Sequence, residues 1–227
     1  MLSDESIRRD KNYSLPRRVL LRIRKMVAPR YREKLNAQIR QTLGEVSFTV
    51  FSNNCLGGVF YHDAGRQFTS PLINTAMDGE DFVRFLERPQ YYLSCPMKFV
   101  TWPGHNYPIA RIDDIEIRFV HYQSSEEAEE KFRERAKRIV WDNIFVIATN
   151  HDGLNHPKWM ERFNRLPYEN KLMYTSQEYP DYPWAICVPQ FKGRFQVRIM
   201  TNMADFKGRR YYETAYDLPA WIAGKSR

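Results

Sequence analysis

A hydroxyl, two amides and a thiol stand in a row at Ser52, Asn53, Asn54 and Cys55, with Gly57 and Gly58 close behind. An amide donates and accepts hydrogen bonds at once, which suits a sugar hydroxyl or the edge of a nucleobase. Paired glycines let a ligand approach the backbone and can present N–H groups to a diphosphate. The spacing is not the dinucleotide fingerprint, which needs G-x-G-x-x-G. The competing reading is a polar turn whose amides satisfy their own backbone. Tyr61 completes the candidate substrate-binding set. Cys55 becomes a nucleophile only if a base such as His62 or His151 lowers its pKa. Otherwise it is a small, buried, apolar residue.

A second group is Asp152-Gly153 with His151 beside it. Asp152, helped by His151 or His62, can take the proton of an acceptor hydroxyl, or hold a divalent cation on a donor diphosphate. The alternative is an Asx-type turn, for which Asp-Gly is a common pair. Asp113-Asp114 precedes a strand, the wrong end for a crevice, and reads as a solvated turn. The five histidines, at 62, 105, 121, 151 and 156, lack zinc-ligand spacing, so no metal ligands are assigned. Among them His121 and His62 remain candidates for a pocket.

These residues need elements to position them. An apolar, β-branched run over 46–51 predicts a strand that ends at Ser52. Strands are also expected at 115–122, 143–149, 171–175 and 185–188. Helices are expected at 78–87 with Asp78 as N-cap, after Ser124 with a Ser124–Glu127 capping box, and after Asn155 or His156. The near-continuous apolar run 143–149 predicts a strand covered on both faces. Strands alternating with helices predict an α/β fold: three layers, a mostly parallel sheet and flanking helices. The carboxyl edge of such a sheet is where ligands bind, and both candidate groups fall there. Trp141, Asp142 and Asn143 lie at the opposite edge and read as a packed ring and a turn. The charges of 126–138 read as a solvated helix face with pairs such as Glu127–Lys131. The aromatic segment 191–227 is expected to wrap the core or meet a partner, with an edge strand at 195–200.

The chain has 227 residues, 43% of them hydrophobic, which supports a real core. Its net charge of +8 is uneven. Residues 1–40 hold 12 Lys/Arg and 4 Asp/Glu, and residues 41–227 hold 23 of each. The excess is therefore a leader, which argues against nucleic acid as a partner. Residues 15–27 and 30–40 read as two helices separated by Pro29, with Tyr31, Leu35 and Ile39 on the apolar face of the second. Such a basic amphipathic leader either lies on an anionic inner-membrane surface or docks on the body. The first 30 residues lack the apolar stretch of a secretory signal. The three cysteines are odd in number and far apart, as in a reduced, cytoplasmic protein.

The run from Phe51 to Asp63 resembles the opening signature of the DUF1919 family, bacterial proteins described as exopolysaccharide or capsule biosynthesis proteins. The likeness continues through Phe68-Thr69-Ser70-Pro71, Asp81 to Leu86, Phe119-Val120-His121-Tyr122, Trp141 to Ile147, Asp152-Gly153 and Leu166 to Lys171, and covers about residues 40–190. Where the family carries an arginine-like residue before the Asp-Gly pair, this chain has His151. An anion held there would be bound more weakly or in a pH-dependent way. The resemblance implies a role in surface polysaccharide synthesis, with a nucleotide-sugar donor as the expected substrate and a divalent cation as its companion. A thiol-dependent acyltransferase or hydrolase using Cys55, and a non-catalytic assembly factor for membrane-bound transferases, are the alternatives.

Overall fold

A computed structural model describes residues 15–224, with side chains described from residue 29 onward. The first element, α1 (Leu15–Leu43), is one continuous helix that contains Pro29. The sequence predicts a break there, because proline removes an N–H and crowds the preceding turn. From residue 29 on, the buried face of α1 is Arg32, Asn36, Ile39 and Leu43, while Tyr31 is 47% exposed. The face is thus rotated from the expected one, because Arg32 has buried acidic partners. The arginines and apolar stripe expected over 15–27, and all of residues 1–14, lie outside the described side chains.

Strand β1 (Thr49–Phe51) leads into α2 (Leu56–Asp63). Next come α3 (Gly79–Glu87), α4 (Pro89–Ser94), and the hairpin-linked strands β2 (Lys98–Val100), β3 (Ile109–Ile112) and β4 (Ile115–Arg118). Helix α5 (Ser125–Ala136), strand β5 (Ile144–Thr149), helix α6 (Pro157–Asn164) and strands β6 (Lys171–Thr175) and β7 (Ala185–Cys187) follow. Two short helices close the described part of the chain, α7 (Tyr211–Ala215) and α8 (Leu218–Ile222).

The main sheet has the order β1-β5-β6-β7 and every pair in it is parallel. Alternation along β5 sends Phe145 and Ile147 to one face, and Val146 and Ala148 to the other. The first face is covered by α1, α2, α7, α8 and the 188–200 segment, through Leu43, Phe60, Val197, Tyr212 and Ile222. The second is covered by α3, α5, α6 and the β2-β3-β4 sheet, through Phe82, Phe132, Phe163 and Ile117. This is the expected three-layer α/β architecture. The antiparallel three-stranded sheet was not expected. Its strands have only three or four residues each, too short for a clear period.

Local chemistry explains the element ends. Ser124 accepts the Glu127 N–H at 3.2 Å, and Glu127 reaches back to the Gln123 N–H at 3.0 Å. His156 caps α6 by accepting the Lys158 N–H at 3.2 Å. Asp78 stands at the N-cap of α3, but its carboxylate turns instead to Arg118, 2.8 Å away. Three local expectations need correction. Residues 195–200 form no strand; the Val197 N–H and the Gln196 amide are instead tied to Asn150 and His151, just after β5. Trp141 is 40% exposed rather than packed. Arg135 is buried, donating to the Ile73 carbonyl and to Tyr122 Oη, so the charged face of α5 is not wholly solvated.

Candidate functional site

Asn53 and Asn54 follow β1, and His151 and Asp152 follow the adjacent strand β5. The chain leaves β1 into α2 on one face of the sheet and leaves β5 toward α6 on the other. The two exits part at the carboxyl edge, the place where parallel sheets hold ligands. A cavity of about 420 Å³ opens there, lined by Asn54, Cys55, Leu56, Val59, His121, Thr149, His151, Asp152 and residues 198–201.

The two strand ends are clamped together. Asn53 is buried, donates to the Thr149 carbonyl at 3.1 Å, and accepts the Thr149 N–H at 3.1 Å. Asn54 donates to Thr149 Oγ1 at 2.8 Å and, one residue before the N-cap Cys55, accepts the Leu56 N–H at 3.0 Å in a local i→i+2 turn. The N-terminus of α2 therefore meets the cavity, and its first-turn N–H groups carry the positive end of the helix dipole.

Asp152 has φ 51 and Gly153 φ 85, a left-handed pair that brings the chain sharply round from β5. The Asp152 carbonyl accepts the Gly79 N–H at 2.7 Å. Its carboxylate lies 3.0 Å from His151 Nδ1 and 3.9 Å from the Arg118 guanidinium. The hydrogen bond to His151 holds the Asp152 pKa below the ordinary carboxylate value, and the same bond raises that of His151. His151 Nε2 faces the Gln196 amide nitrogen at 3.0 Å. With the amide assigned in this orientation the nitrogen donates, which pairs with the tautomer in which Nε2 accepts and Nδ1 carries the proton toward Asp152.

The other expected residues fall elsewhere. Gly57 and Gly58 are buried in the first turn of α2. A Cβ on Gly57 would stand 3.3 Å from Ser52 Cβ, and one on Gly58 would stand 3.3 Å from Ile73 Cγ2. They let the helix pack closely, a role the sequence does not distinguish from phosphate binding. Ser52 is buried beneath them, and its hydroxyl has no partner among the described residues. Tyr61 is a core residue whose Oη accepts the Val50 N–H and pairs with Thr69 Oγ1 at 2.6 Å. Burial raises its pKa to about 12. His62 is 81% exposed near the far end of α2, six residues beyond Leu56, and does not line the cavity. Cys55 does line it, but burial pushes its thiol pKa up, away from a reactive thiolate.

Arg118, Thr149, Gln196 and Arg198 belong to the site and escaped the sequence reading. Only Arg118 left a trace, as a polar residue at the end of an alternating strand. Gln196 and Arg198 arrive from a segment with no regular structure.

Fold and site together define a three-layer α/β protein with a cavity at the carboxyl edge of its parallel sheet, its wall mainly apolar with a few polar side chains. Within that class, the chain belongs to the DUF1919 family, described as a domain of unknown function, whose pattern matches residues 26–223. It is 33% identical over 201 residues to an uncharacterized protein of Haemophilus influenzae (strain ATCC 51907 / DSM 11121 / KW20 / Rd). The match covers 88% of this chain and 96% of that protein.

Proposed function

We propose that the cavity transfers a sugar from a nucleotide-sugar donor to a hydroxyl acceptor, in the building of a surface polysaccharide. The observation that carries this reading is the oriented Asp152–His151 pair in a cavity that also contains a helix N-terminus and a cation. Asp152 fixes the imidazole by accepting from Nδ1. His151 Nε2 is then the acceptor atom. In the reaction a substrate hydroxyl takes the place now held by the Gln196 amide. Its proton passes to Nε2 as its oxygen bonds to the sugar carbon. The bond from that carbon to the donor phosphate breaks, and the electron pair leaves with the nucleoside diphosphate. The N-terminus of α2 and the Arg198 side chain favour the charge that develops there. Asn54 forms part of the wall: its Nδ2 is spent on Thr149 Oγ1 and Asn53 Oδ1, and the remaining lone pair of Oδ1, beside the Leu56 N–H, is left to accept from a sugar hydroxyl.

Release of nucleoside diphosphate from a panel of nucleotide sugars, with simple glycoside acceptors, tests the reading. His151→Ala is expected to lower kcat by about 10²-fold or more, the usual loss for a general base. Unchanged turnover in that variant, or no release from any donor, contradicts it. Cys55→Ser is expected to keep turnover; its loss would favour a thiol mechanism instead.

A further inference from the structure

We propose that residues 194–199, the rim of the cavity, form a docking surface for an anionic lipid bilayer. Phe195 is 76% exposed and Ile199 is 63% exposed, the two most exposed large apolar side chains among the described residues. They alternate with Arg194 and Arg198, which are also exposed. The stretch is anchored at several points. Val197 and Met200 are buried in the core, the Val197 N–H donates to Asn150 Oδ1 at 2.9 Å, and Ser176 Oγ donates to the Arg194 carbonyl at 2.8 Å. Asn155 Nδ2 adds a bond to the Phe195 carbonyl at 3.2 Å. These anchors leave Phe195, Ile199 and Arg194 on the outer surface and hold Arg198 at the cavity mouth.

Charge decides what this surface fits. Residues 192–210 hold six Lys/Arg and one Asp, although residues 41–227 as a whole hold 23 of each sign. Within the segment, Lys192 is paired with Glu178, Arg209 with Asp205 and Arg210 with Asp63. Arg194, Arg198 and Lys207 have no ion-pair partner among the described residues and face solvent. Apolar side chains flanked by unpaired cations match the acyl boundary and the negative headgroups of an anionic leaflet. Ile199 both lines the cavity and stands at its rim, so docking would bring the cavity mouth to the lipid surface. This surface is separate from the basic leader, and the proposal holds whether or not the cavity transfers a sugar.

Flotation of the full chain with phosphatidylglycerol–phosphatidylcholine vesicles, against phosphatidylcholine alone, tests it. The wild type is expected to float with the anionic vesicles only. Arg194→Glu with Phe195→Ser is expected to lower that partition by about tenfold or more, since it removes an inserted ring and reverses a charge. Both side chains are exposed and outside the cavity lining, so an unchanged melting temperature verifies that the variant is folded. Wild-type flotation by the folded variant, or no flotation by the wild type, overturns the proposal. Nucleotide-sugar turnover in free solution is scored separately and reports on the cavity alone.

Discussion

Asn53 and Asn54 are adjacent and chemically identical, yet one is buried between strands and the other lines the cavity. The sequence marks both as candidates because it shows residue types, whereas the strand register that separates them is a tertiary property. Asn53→Ala would leave the Thr149 N–H and carbonyl without their amide partner. Chemical denaturation should report a loss of about 3 kcal/mol, and Asn54→Ala should lose only about 1 kcal/mol, the net size of a part-buried side-chain hydrogen bond. The charged pair makes a separate prediction. The raised His151 pKa contributes stability that is full below an unfolded value of about 6.5 and is lost as pH rises through the folded value. The lowered Asp152 pKa contributes above about 3.9, and that stability is lost as pH falls through its folded value. Both contributions are present together at about pH 5.5. His151→Gln should therefore lower the melting temperature more at about pH 5.5 than at about pH 9, where the imidazole is neutral. Both groups are partly exposed, so the difference should be small, on the order of 2 °C. Equal losses at the two pH values would contradict a charged pair.

The long apolar strand β5, the Ser124 cap and the His156 cap were legible because each rests on local pattern. The antiparallel sheet, the continuation of α1 through Pro29 and the helical state of residues 56–63 were not. Each depends on packing partners distant in sequence, and glycines at 57 and 58 read locally as a loop. One close approach joins two elements at the site. Gly79 opens α3 and donates its N–H to the Asp152 carbonyl. A Cβ there would stand 2.6 Å from Leu154 Cα, a backbone atom that cannot turn aside. Gly79→Ala should destabilise the fold by about 3 kcal/mol and displace the Asp152 turn, weakening the site as well. A melting temperature within a degree of wild type would show that α3 and the turn after β5 are not so closely joined.

At the scale of the whole molecule, the ends of the described chain meet in one buried ionic network. Arg32 of α1 donates to both carboxylate oxygens of Glu213, at 2.6 and 2.7 Å, and lies 3.2 Å from Asp63. Arg210 reaches Asp63 at 2.7 Å. This fastens the second half of α1 and the C-terminal segment to α2, and through α2 to the cavity. Sequence counting placed Arg32 in a basic leader, because net charge says nothing of where single charges pair. Arg32→Ala should cost about 3 kcal/mol or more, since it leaves buried carboxylates short of a partner. A change below about 1 kcal/mol would mean that the network is solvated and weak. No helix among the described residues is long and apolar enough to cross a membrane.

The proposed ligand site is the cavity at the carboxyl ends of β1 and β5. Its most direct test is a thermal-shift panel of nucleotide sugars on the wild type and on Asn54→Ala. A donor at 100 times its dissociation constant stabilises the fold by roughly 2.7 kcal/mol, a rise of roughly 5 °C or more in a chain of this size. That rise is expected for at least one donor in the wild type, and its loss is expected in Asn54→Ala. A rise of equal size in both proteins would place the ligand elsewhere, and no rise with any donor would contradict that assignment outright.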